Sequence, residues 1–233
     1  MNQLTFKPGV HMFHTCEEFV SEFQLGKGDL VLSNAYIYEP YFGRLGLPVA
    51  TVFQEAYGAG EPTDVMVETI MADAKKIDYK RIIAIGGGTV VDIAKVLALQ
   101  SNGNVDELYG KMPNLERACE LVIVPTTCGT GSEVTNLSIL NRTRLGTKMG
   151  LVSNAMYADS AVLIPELLNN LPLGVFATSS IDALVHAVES SLSPKATAYT
   201  KLFGYKAIEM ILQAYRRIVA AGNTKESRAA ESE

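Results

Sequence analysis

Three short segments of the chain carry residue types that could bind a nucleotide or a metal ion. Gly86-Gly87-Gly88 stands between an apolar run and a helical pattern, and such a turn presents backbone N–H groups to a phosphate. Residues 125–135 place threonine hydroxyls and glycines directly after another apolar run. Asp182 and His186 are four residues apart, so on a helix both side chains project from the same face. These segments predict a phosphate-binding turn, a second ligand loop, and half of a metal site with oxygen and nitrogen ligands.

Each segment also has an explanation that needs no ligand. A glycine-rich sequence can form a tight strand-to-helix turn, and a loop rich in threonine can satisfy its own backbone. An aspartate and a histidine at this helical spacing can hydrogen-bond each other. Two glycine-bearing loops after separate strands favour a ligand, because ligands bind at the carboxyl ends of the strands in open α/β sheets. His11 and His14 are interpreted as surface or core histidines.

The elements that must position these segments alternate between strand and helix over the first two thirds of the chain. The predicted strands are residues 29–33, 48–53, 82–85, 121–124, 134–140, 149–153 and 161–164, of which 134–140 and 149–153 alternate like a hairpin. The predicted helices are residues 62–77, opened by a proline, and 90–99. The repeated strand–helix–strand spacing predicts a parallel sheet with helices on both faces.

The pattern changes near residue 170. Residues 174–191 and 196–221 predict two helices with no strand between or after them, and the polar tail 223–233 either frays or continues into further sequence. We therefore predict a dinucleotide-binding α/β domain in residues 1–170 and a partial helical metal and substrate domain in residues 171–233. Because a helical pair of this size buries little surface by itself, the chain is expected to be truncated at its C-terminus.

Composition excludes several classes of function. The net charge of −5 gives no basic footprint, so nucleic acid is not expected as a partner. Cys16, Cys119 and Cys128 are too few and too widely spaced for a disulfide framework or a zinc site, and are typical of reduced thiols. No signal-peptide pattern and no apolar run of membrane-spanning length is present. A cytoplasmic protein with no membrane partner is expected.

Taken in order, the three motifs resemble those of the iron-containing (group III) alcohol dehydrogenases. The resemblance rests on Gly86-Gly-Gly-Thr-Val-Val-Asp92 with Lys95, on Pro125-Thr-Thr-Cys-Gly-Thr-Gly-Ser-Glu-Val-Thr135, and on Asp182-Ala-Leu-Val-His186-Ala-Val-Glu189. It extends over essentially the whole chain. It implies a Rossmann-like parallel-sheet domain followed by the beginning of an all-helical domain, the dehydroquinate synthase-like architecture.

The resemblance also implies a role for each matching residue. The implied cofactor-binding residues are Asn34, Gly87, Gly88, Thr89, Asp92, Thr126, Thr127, Thr130 and Lys148. Asp182 and His186 match the first two of four metal ligands and are the implied catalytic pair, with iron as the usual metal and zinc as the alternative. Relatives commonly have an acidic residue where this chain has Ser33-Asn34. NAD is the expected cofactor. Because asparagine repels a 2′-phosphate less than aspartate does, NADP stays open as an alternative.

The implied activity is NAD-dependent, metal-assisted conversion between an alcohol and an aldehyde. Segments 26–30, 53–58, 60–63, 157–158 and 161–166, together with Cys128 in the second loop, are most similar to family members that convert 4-hydroxybutyrate to succinate semialdehyde or the reverse. Two alternatives stay open: a non-catalytic nucleotide-binding fragment, and an alcohol or polyol dehydrogenase of the same family with another substrate. The chain has three histidines and supplies two of the four metal ligands, so activity of this chain by itself is in question. A homodimer is left open as the assembly.

Overall fold

The computed structural model describes residues 6–231, which contain eight strands and eight α-helices. The strands are β1 (Gly9–Met12), β2 (Asp29–Ser33), β3 (Ala50–Phe53), β4 (Arg81–Gly86), β5 (Glu120–Pro125), β6 (Leu137–Arg142), β7 (Thr147–Val152) and β8 (Ser160–Leu163). The helices are α1 (Cys16–Phe23), α2 (Ala35–Tyr41), α3 (Asp64–Ala74), α4 (Gly88–Leu97), α5 (Val105–Lys111), α6 (Leu173–Leu192), α7 (Ala198–Ala220) and α8 (Lys225–Ala230).

The chain divides into two compact units. The first, called the sheet unit here, consists of Lys7–Thr126 and Ser132–Ile164. The second, called the helical unit, contains Thr127–Gly131 and the described residues from Pro165 onward. The division into functional domains at residue 170 stays a prediction. By its contacts the sheet unit ends at Ile164, and a short loop from the middle of the chain belongs to the helical unit.

Six strands of the sheet unit form one parallel sheet in the order β1-β8-β5-β4-β2-β3. Every residue of β2 is buried, and so are residues 82–86 of β4 and 121–124 of β5. Consecutive buried residues point to opposite faces of a strand, so these strands are covered on both faces. Their aliphatic composition follows from that double burial. The predicted α/β fold, a parallel sheet followed by a helical region, is confirmed.

The strand order reverses between β2 and β4, which are neighbours in the sheet. From β2 the chain moves outward to β3, whereas from β4 it moves in the other direction through β5 and β8. Ser33 and Ile85 are register partners near the ends of β2 and β4, and the Ser33 hydroxyl donates to the Ile85 carbonyl oxygen at 2.7 Å. In open parallel sheets such a reversal leaves a crevice beyond the strand ends, where ligands bind.

β6 and β7 form a separate antiparallel hairpin, as the alternating pattern predicts. The observed strands differ from the predicted ranges by two or three residues at several ends, partly because Ser132–Val134 forms a 3-10 turn instead of strand. The hairpin is attached to α4, where the Ser138 hydroxyl donates to the Asp92 backbone carbonyl oxygen at 3.0 Å. It therefore lies against the helix that follows the glycine turn.

Helix α3 begins two residues later than predicted. The Thr63 hydroxyl accepts a hydrogen bond from the Met66 N–H at 3.0 Å and caps the first turn. The expectation that Pro62 opens this helix is therefore wrong, because a threonine N-cap follows it. Helices α1, α2 and α5 are not predicted from the sequence. They have seven or eight residues each, too few turns for an apolar periodicity to stand out.

Helices α6 and α7 match the two helices predicted after residue 170 to within two residues. They approach closely at Gly204, where a Cβ atom would lie 2.1 Å from the Ser191 hydroxyl oxygen. The polar tail does not simply fray, since α8 forms there and Glu231 accepts a hydrogen bond from Arg217 at 2.6 Å. Within residues 6–231, no helix has both the length and the apolar character needed to cross a membrane.

Candidate cofactor and metal sites

The turn after β4 leaves backbone donors open at the start of α4. Gly87 is the N-cap residue in an extended conformation, and it makes no side-chain hydrogen bond to the helix. The first N–H groups of an α-helix have no partner within the helix, so a phosphate can accept them. Gly86 has a separate steric role, because a Cβ atom there would lie 2.7 Å from the Val90 side chain. The turn thus combines a packing requirement at Gly86 with backbone N–H groups at Gly88 and Thr89 that have no partner within the helix.

Several of the predicted cofactor residues stand at adjacent strand ends. Asn34 directly follows β2, Gly87 and Gly88 follow β4, and Thr126 follows β5. The Thr126 N–H donates to the Gly86 carbonyl oxygen at 3.1 Å, and the Asn34 and Thr126 side chains are buried. Because β2, β4 and β5 are parallel neighbours, their carboxyl ends meet at one edge of the sheet. The structure therefore brings these four residues together at the point where the strand order reverses.

The Asn34 side chain is held by two residues that sequence reasoning did not select. Its amide nitrogen donates to the Gln54 side-chain oxygen at 3.1 Å and to the Glu55 carboxylate at 2.9 Å. The same carboxylate accepts the Ala35 N–H at 2.7 Å. Partial burial would raise the pKa of Glu55, but these hydrogen bonds outweigh it and lower the pKa below its ordinary value. Glu55 is therefore an ionised carboxylate at the end of β2.

Thr89 and Lys148 both contact the segment Gly60-Glu61. The Thr89 hydroxyl donates to the Gly60 carbonyl oxygen at 3.1 Å. The Lys148 ammonium group, which is exposed on β7, forms an ion pair with Glu61 at 2.6 Å. The loop between β3 and α3 thus connects two predicted cofactor residues that are far apart in sequence. Glu61 is a second carboxylate near the predicted site that sequence reasoning did not select.

Asp92 and Lys95 attach α4 to the hairpin. The Asp92 carboxylate accepts the Ile139 N–H at 2.9 Å, and the Lys95 ammonium group donates to the Thr135 hydroxyl at 2.8 Å and to the Leu137 carbonyl oxygen at 2.7 Å. Burial raises the pKa of Asp92 to about 6 and lowers the pKa of Lys95 to about 8. The contacts of Asp92 in this structure are structural, and its role toward NAD stays a prediction.

We expect the stability of the sheet unit to depend on pH through Asp92. Because burial raises the pKa of Asp92 in the folded protein, the folded protein favours the neutral carboxyl more strongly than the unfolded chain does. The stability that the neutral carboxyl contributes is therefore lost as the pH rises through about 6. Asp92→Asn keeps an oxygen that can accept the Ile139 N–H and removes the charge. Relative to wild type, its unfolding free energy should rise by about 2 kcal/mol between about pH 4 and about pH 7. Urea denaturation followed by circular dichroism measures this difference.

Asp78→Asn, which removes an exposed carboxylate from the turn before β4, is the matched control for this pH experiment. Its pH profile should run parallel to that of wild type. Parallel profiles for wild type and Asp92→Asn, or an equal gain in both variants, would contradict the assignment of the pH dependence to Asp92.

Thr127 and Thr130 lie in the part of the second loop that belongs to the helical unit. This loop meets α6 at Gly129, where a Cβ atom would lie 2.1 Å from the Ser179 carbonyl oxygen. The Cys128 sulfur also lies 3.5 Å from the Ser179 hydroxyl oxygen. Packing on α6 therefore constrains the loop that carries the two threonines. Hydrogen bonds within the turn alone would constrain this loop less.

Asp182 and His186 project from one face of α6, as their spacing predicts. The Asp182 Oδ2 and His186 Nδ1 atoms are 3.6 Å apart, and both side chains are about half exposed. Within residues 6–231, no group of three or more histidine, cysteine, aspartate or glutamate side chains is placed to hold a metal. His11 and His14 are exposed in the sheet unit. The pair fits iron or zinc in the type of its donor atoms but supplies only part of a catalytic ligand set.

The parallel sheet reverses its strand order at a glycine turn, and the first helix of the following region, α6, carries the Asp–His pair. These features define the dinucleotide-binding type of α/β protein with a helical second region. The sequence profile described as iron-containing alcohol dehydrogenase matches residues 13–165. The profile of the C-terminal region of the same family matches residues 176–232. The chain therefore belongs to the iron-containing alcohol dehydrogenase family, and the resemblance inferred from the motifs is confirmed.

Two curated relatives show which family members are similar over most of the chain. The 4-hydroxybutyrate dehydrogenase of Clostridium kluyveri is 48% identical over 224 residues, which cover 96% of this chain and 60% of that protein. The sulfoacetaldehyde reductase of Bilophila wadsworthia is 33% identical over an alignment that covers 96% of this chain and 60% of that protein. The chain thus spans 60% of the length of these two relatives.

Solved structures share the fold at low sequence identity. The sulfoacetaldehyde reductase of Bifidobacterium kashiwanohense, solved in complex with NAD+, superposes with a TM-score of 0.82 at 20% identity and covers 100% of this chain and 64% of that one. A 1,3-propanediol oxidoreductase superposes with a TM-score of 0.77 at 24% identity and covers 98% of this chain and 64% of that one. These similarities show a common fold.

Proposed function

We propose that this protein is a cytoplasmic, NAD-dependent, metal-assisted alcohol dehydrogenase that interconverts 4-hydroxybutyrate and succinate semialdehyde. The observation that carries the proposal is the reversal of strand order at the Gly86-Gly87-Gly88 turn, which is where dinucleotides bind in doubly wound sheets. Membership of the family supports the transfer of a hydride to NAD. The 48% identity to a 4-hydroxybutyrate dehydrogenase supports the four-carbon substrate.

In this proposal the sheet unit binds and orients the cofactor. The N–H groups at the start of α4, beginning at Gly88 and Thr89, donate to the pyrophosphate of NAD. Asn34 and Thr126 border the same crevice from the neighbouring strands. Thr127, Thr130, Asp92 and Lys148 are assigned to the cofactor by family resemblance. When bound there, NAD would accept the hydride that the alcohol carbon gives up, and the hydroxyl proton of the alcohol would be released.

Asp182 and His186 would hold a divalent metal ion, iron by family resemblance or zinc. When bound, such an ion supplies Lewis-acid assistance that lowers the pKa of the alcohol. The carboxylate and the imidazole both project from α6, and their oxygen and nitrogen donor atoms suit this role. A catalytic metal normally has three protein ligands, so the pair needs a further donor to hold one firmly.

The test compares the reduction of NAD by 4-hydroxybutyrate, ethanol and 1-propanol after loading with Fe2+ or Zn2+. It uses the present chain and a chimera in which the corresponding C-terminal segment of the Clostridium kluyveri relative follows it. In the chimera, kcat/KM for 4-hydroxybutyrate should exceed that for either simple alcohol by at least about tenfold. Preferential turnover of the simple alcohols would favour another dehydrogenase of the family. Full activity of the present chain by itself would contradict the argument that Asp182 and His186 need a further ligand to hold a catalytic metal.

His186→Ala in the same chimera separates the metal site from the cofactor site. It should lower both the metal content and the rate of NAD reduction by at least about tenfold while NADH binding is retained. His14→Ala, which removes an exposed histidine of the sheet unit, is the matched control and should change neither quantity. Wild-type metal content and activity in His186→Ala would remove this residue from the metal site.

A further inference from the structure

A carboxylate stands beside the end of β2 although the residue that directly follows this strand, Asn34, is not acidic. In doubly wound sheets that bind NAD, an acidic residue near this point hydrogen-bonds the ribose 2′-hydroxyl. Asn34 occupies the position here, and its neutral amide carries no charge that could repel a 2′-phosphate. The sequence of β2 alone therefore leaves the choice between NAD and NADP undecided.

Glu55 reaches this point from the neighbouring strand. Ser33 of β2 and Phe53 of β3 are register partners, so the residues that follow the two strands emerge side by side. One Glu55 carboxylate oxygen accepts the Asn34 amide at 2.9 Å, and the other accepts the Ala35 N–H at 2.7 Å. Two hydrogen bonds to the residues that follow β2 thus fix the position of the carboxylate.

The donors of the Asn34 amide are already in use at this strand end. The amide nitrogen donates to both Glu55 and Gln54, so neither of its hydrogens is available to a phosphate. The hydrogen bonds to Glu55 also hold its pKa below the ordinary value against the opposing effect of burial. A phosphate that arrives beside Asn34 would therefore meet a negative charge and gain no hydrogen bond from the amide.

We infer that Glu55 selects NAD over NADP by supplying, from the 3-10 turn after β3, the acidic group that the end of β2 lacks. Its carboxylate can accept a hydrogen bond from a ribose hydroxyl of NAD, and it repels the 2′-phosphate of NADP. Asn34 is a positioning residue that holds this carboxylate in place. The inference rests on the proposed cofactor site and names the residue that decides which cofactor occupies it.

The experiment measures the dissociation constants of NADH and NADPH from the fluorescence of the reduced nicotinamide. Glu55→Gln keeps an oxygen that can accept the Ala35 N–H and removes the charge. Glu39→Gln removes an exposed carboxylate from α2 and is the matched control. Glu55→Gln should tighten NADPH binding by roughly tenfold and change NADH binding by less than about threefold. Glu39→Gln should leave the ratio of the two constants at its wild-type value.

The outcomes distinguish this inference from the proposed function. If the wild-type protein binds NADH and Glu55→Gln leaves the ratio of the NADH and NADPH dissociation constants unchanged, the role of Glu55 is wrong and the cofactor site is not affected. A wild-type protein that binds neither nucleotide overturns the cofactor site and the role of Glu55 together.

A salt series on the wild-type protein gives an independent test that needs no variant. Added KCl screens the repulsion between an exposed carboxylate and a phosphate, so the preference for NADH should narrow as the salt concentration rises. A preference that does not change with salt overturns the electrostatic explanation.

Discussion

Gly88→Val is expected to weaken NADH binding by about a hundredfold, which corresponds to about 3 kcal/mol. Gly88 is the first residue of α4, directly after the N-cap residue Gly87. A branched side chain at this position would stand where the pyrophosphate must approach the first N–H groups of the helix. Titration with NADH, followed by nicotinamide fluorescence, measures the effect in a chain that contains no tryptophan.

Substitutions at two other glycines distinguish a loss of NADH binding from a loss of folded structure. Gly110→Val places the same side chain in α5, where the Cβ position has no neighbouring heavy atom within 4 Å, so NADH binding should be unchanged. Gly86→Ala should lower thermal stability, because its Cβ atom would lie 2.7 Å from Val90. Wild-type NADH affinity in a correctly folded Gly88→Val variant would contradict the pyrophosphate site.

The sheet could be predicted from the sequence because double burial leaves a strong local signal. The predicted strand at 82–85 corresponds to Arg81–Gly86, and the predicted helix at 90–99 overlaps Gly88–Leu97. Runs of aliphatic residues broken by glycine occur where a buried strand must turn into a helix. The Asp182–His186 pair was predictable for a similar reason, since the helical repeat alone places both residues on one face of α6.

The surroundings of the cofactor residues could not be predicted in the same way, because they depend on the order of the strands. Glu55 meets Asn34 across 21 positions of sequence, and only the pairing of β2 with β3 brings the two together. Asp92 accepts a hydrogen bond from Ile139, 47 positions later. A motif fixes which residues are present at a turn, whereas non-local pairing decides what their side chains contact.

Gly129→Ala is expected to destabilise the helical unit by about 1–3 kcal/mol, the usual range for overpacking a close contact. The added Cβ atom would lie 2.1 Å from the Ser179 carbonyl oxygen and 2.7 Å from its carbonyl carbon. These are backbone atoms of α6, so the clash cannot be relieved by rotating a side chain. The loop that carries Thr127 and Thr130 must move, or the helix must shift. Thermal denaturation followed by circular dichroism measures the loss.

The control for this change is Gly174→Ala, the same substitution in the first turn of α6. No neighbouring heavy atom lies within 4 Å of that Cβ position, and alanine favours a helix over glycine by up to about 1 kcal/mol, so stability should hold or rise.

Measuring NADH affinity in Gly129→Ala separates the role of the loop in stability from its role in cofactor binding. If Thr127 and Thr130 contact the cofactor, Gly129→Ala should weaken NADH binding in the protein that remains folded, because displacing the loop displaces both hydroxyls. A variant that melts like wild type would contradict the packing of this loop on α6. A variant that is less stable but binds NADH with wild-type affinity would instead remove both threonines from the cofactor site.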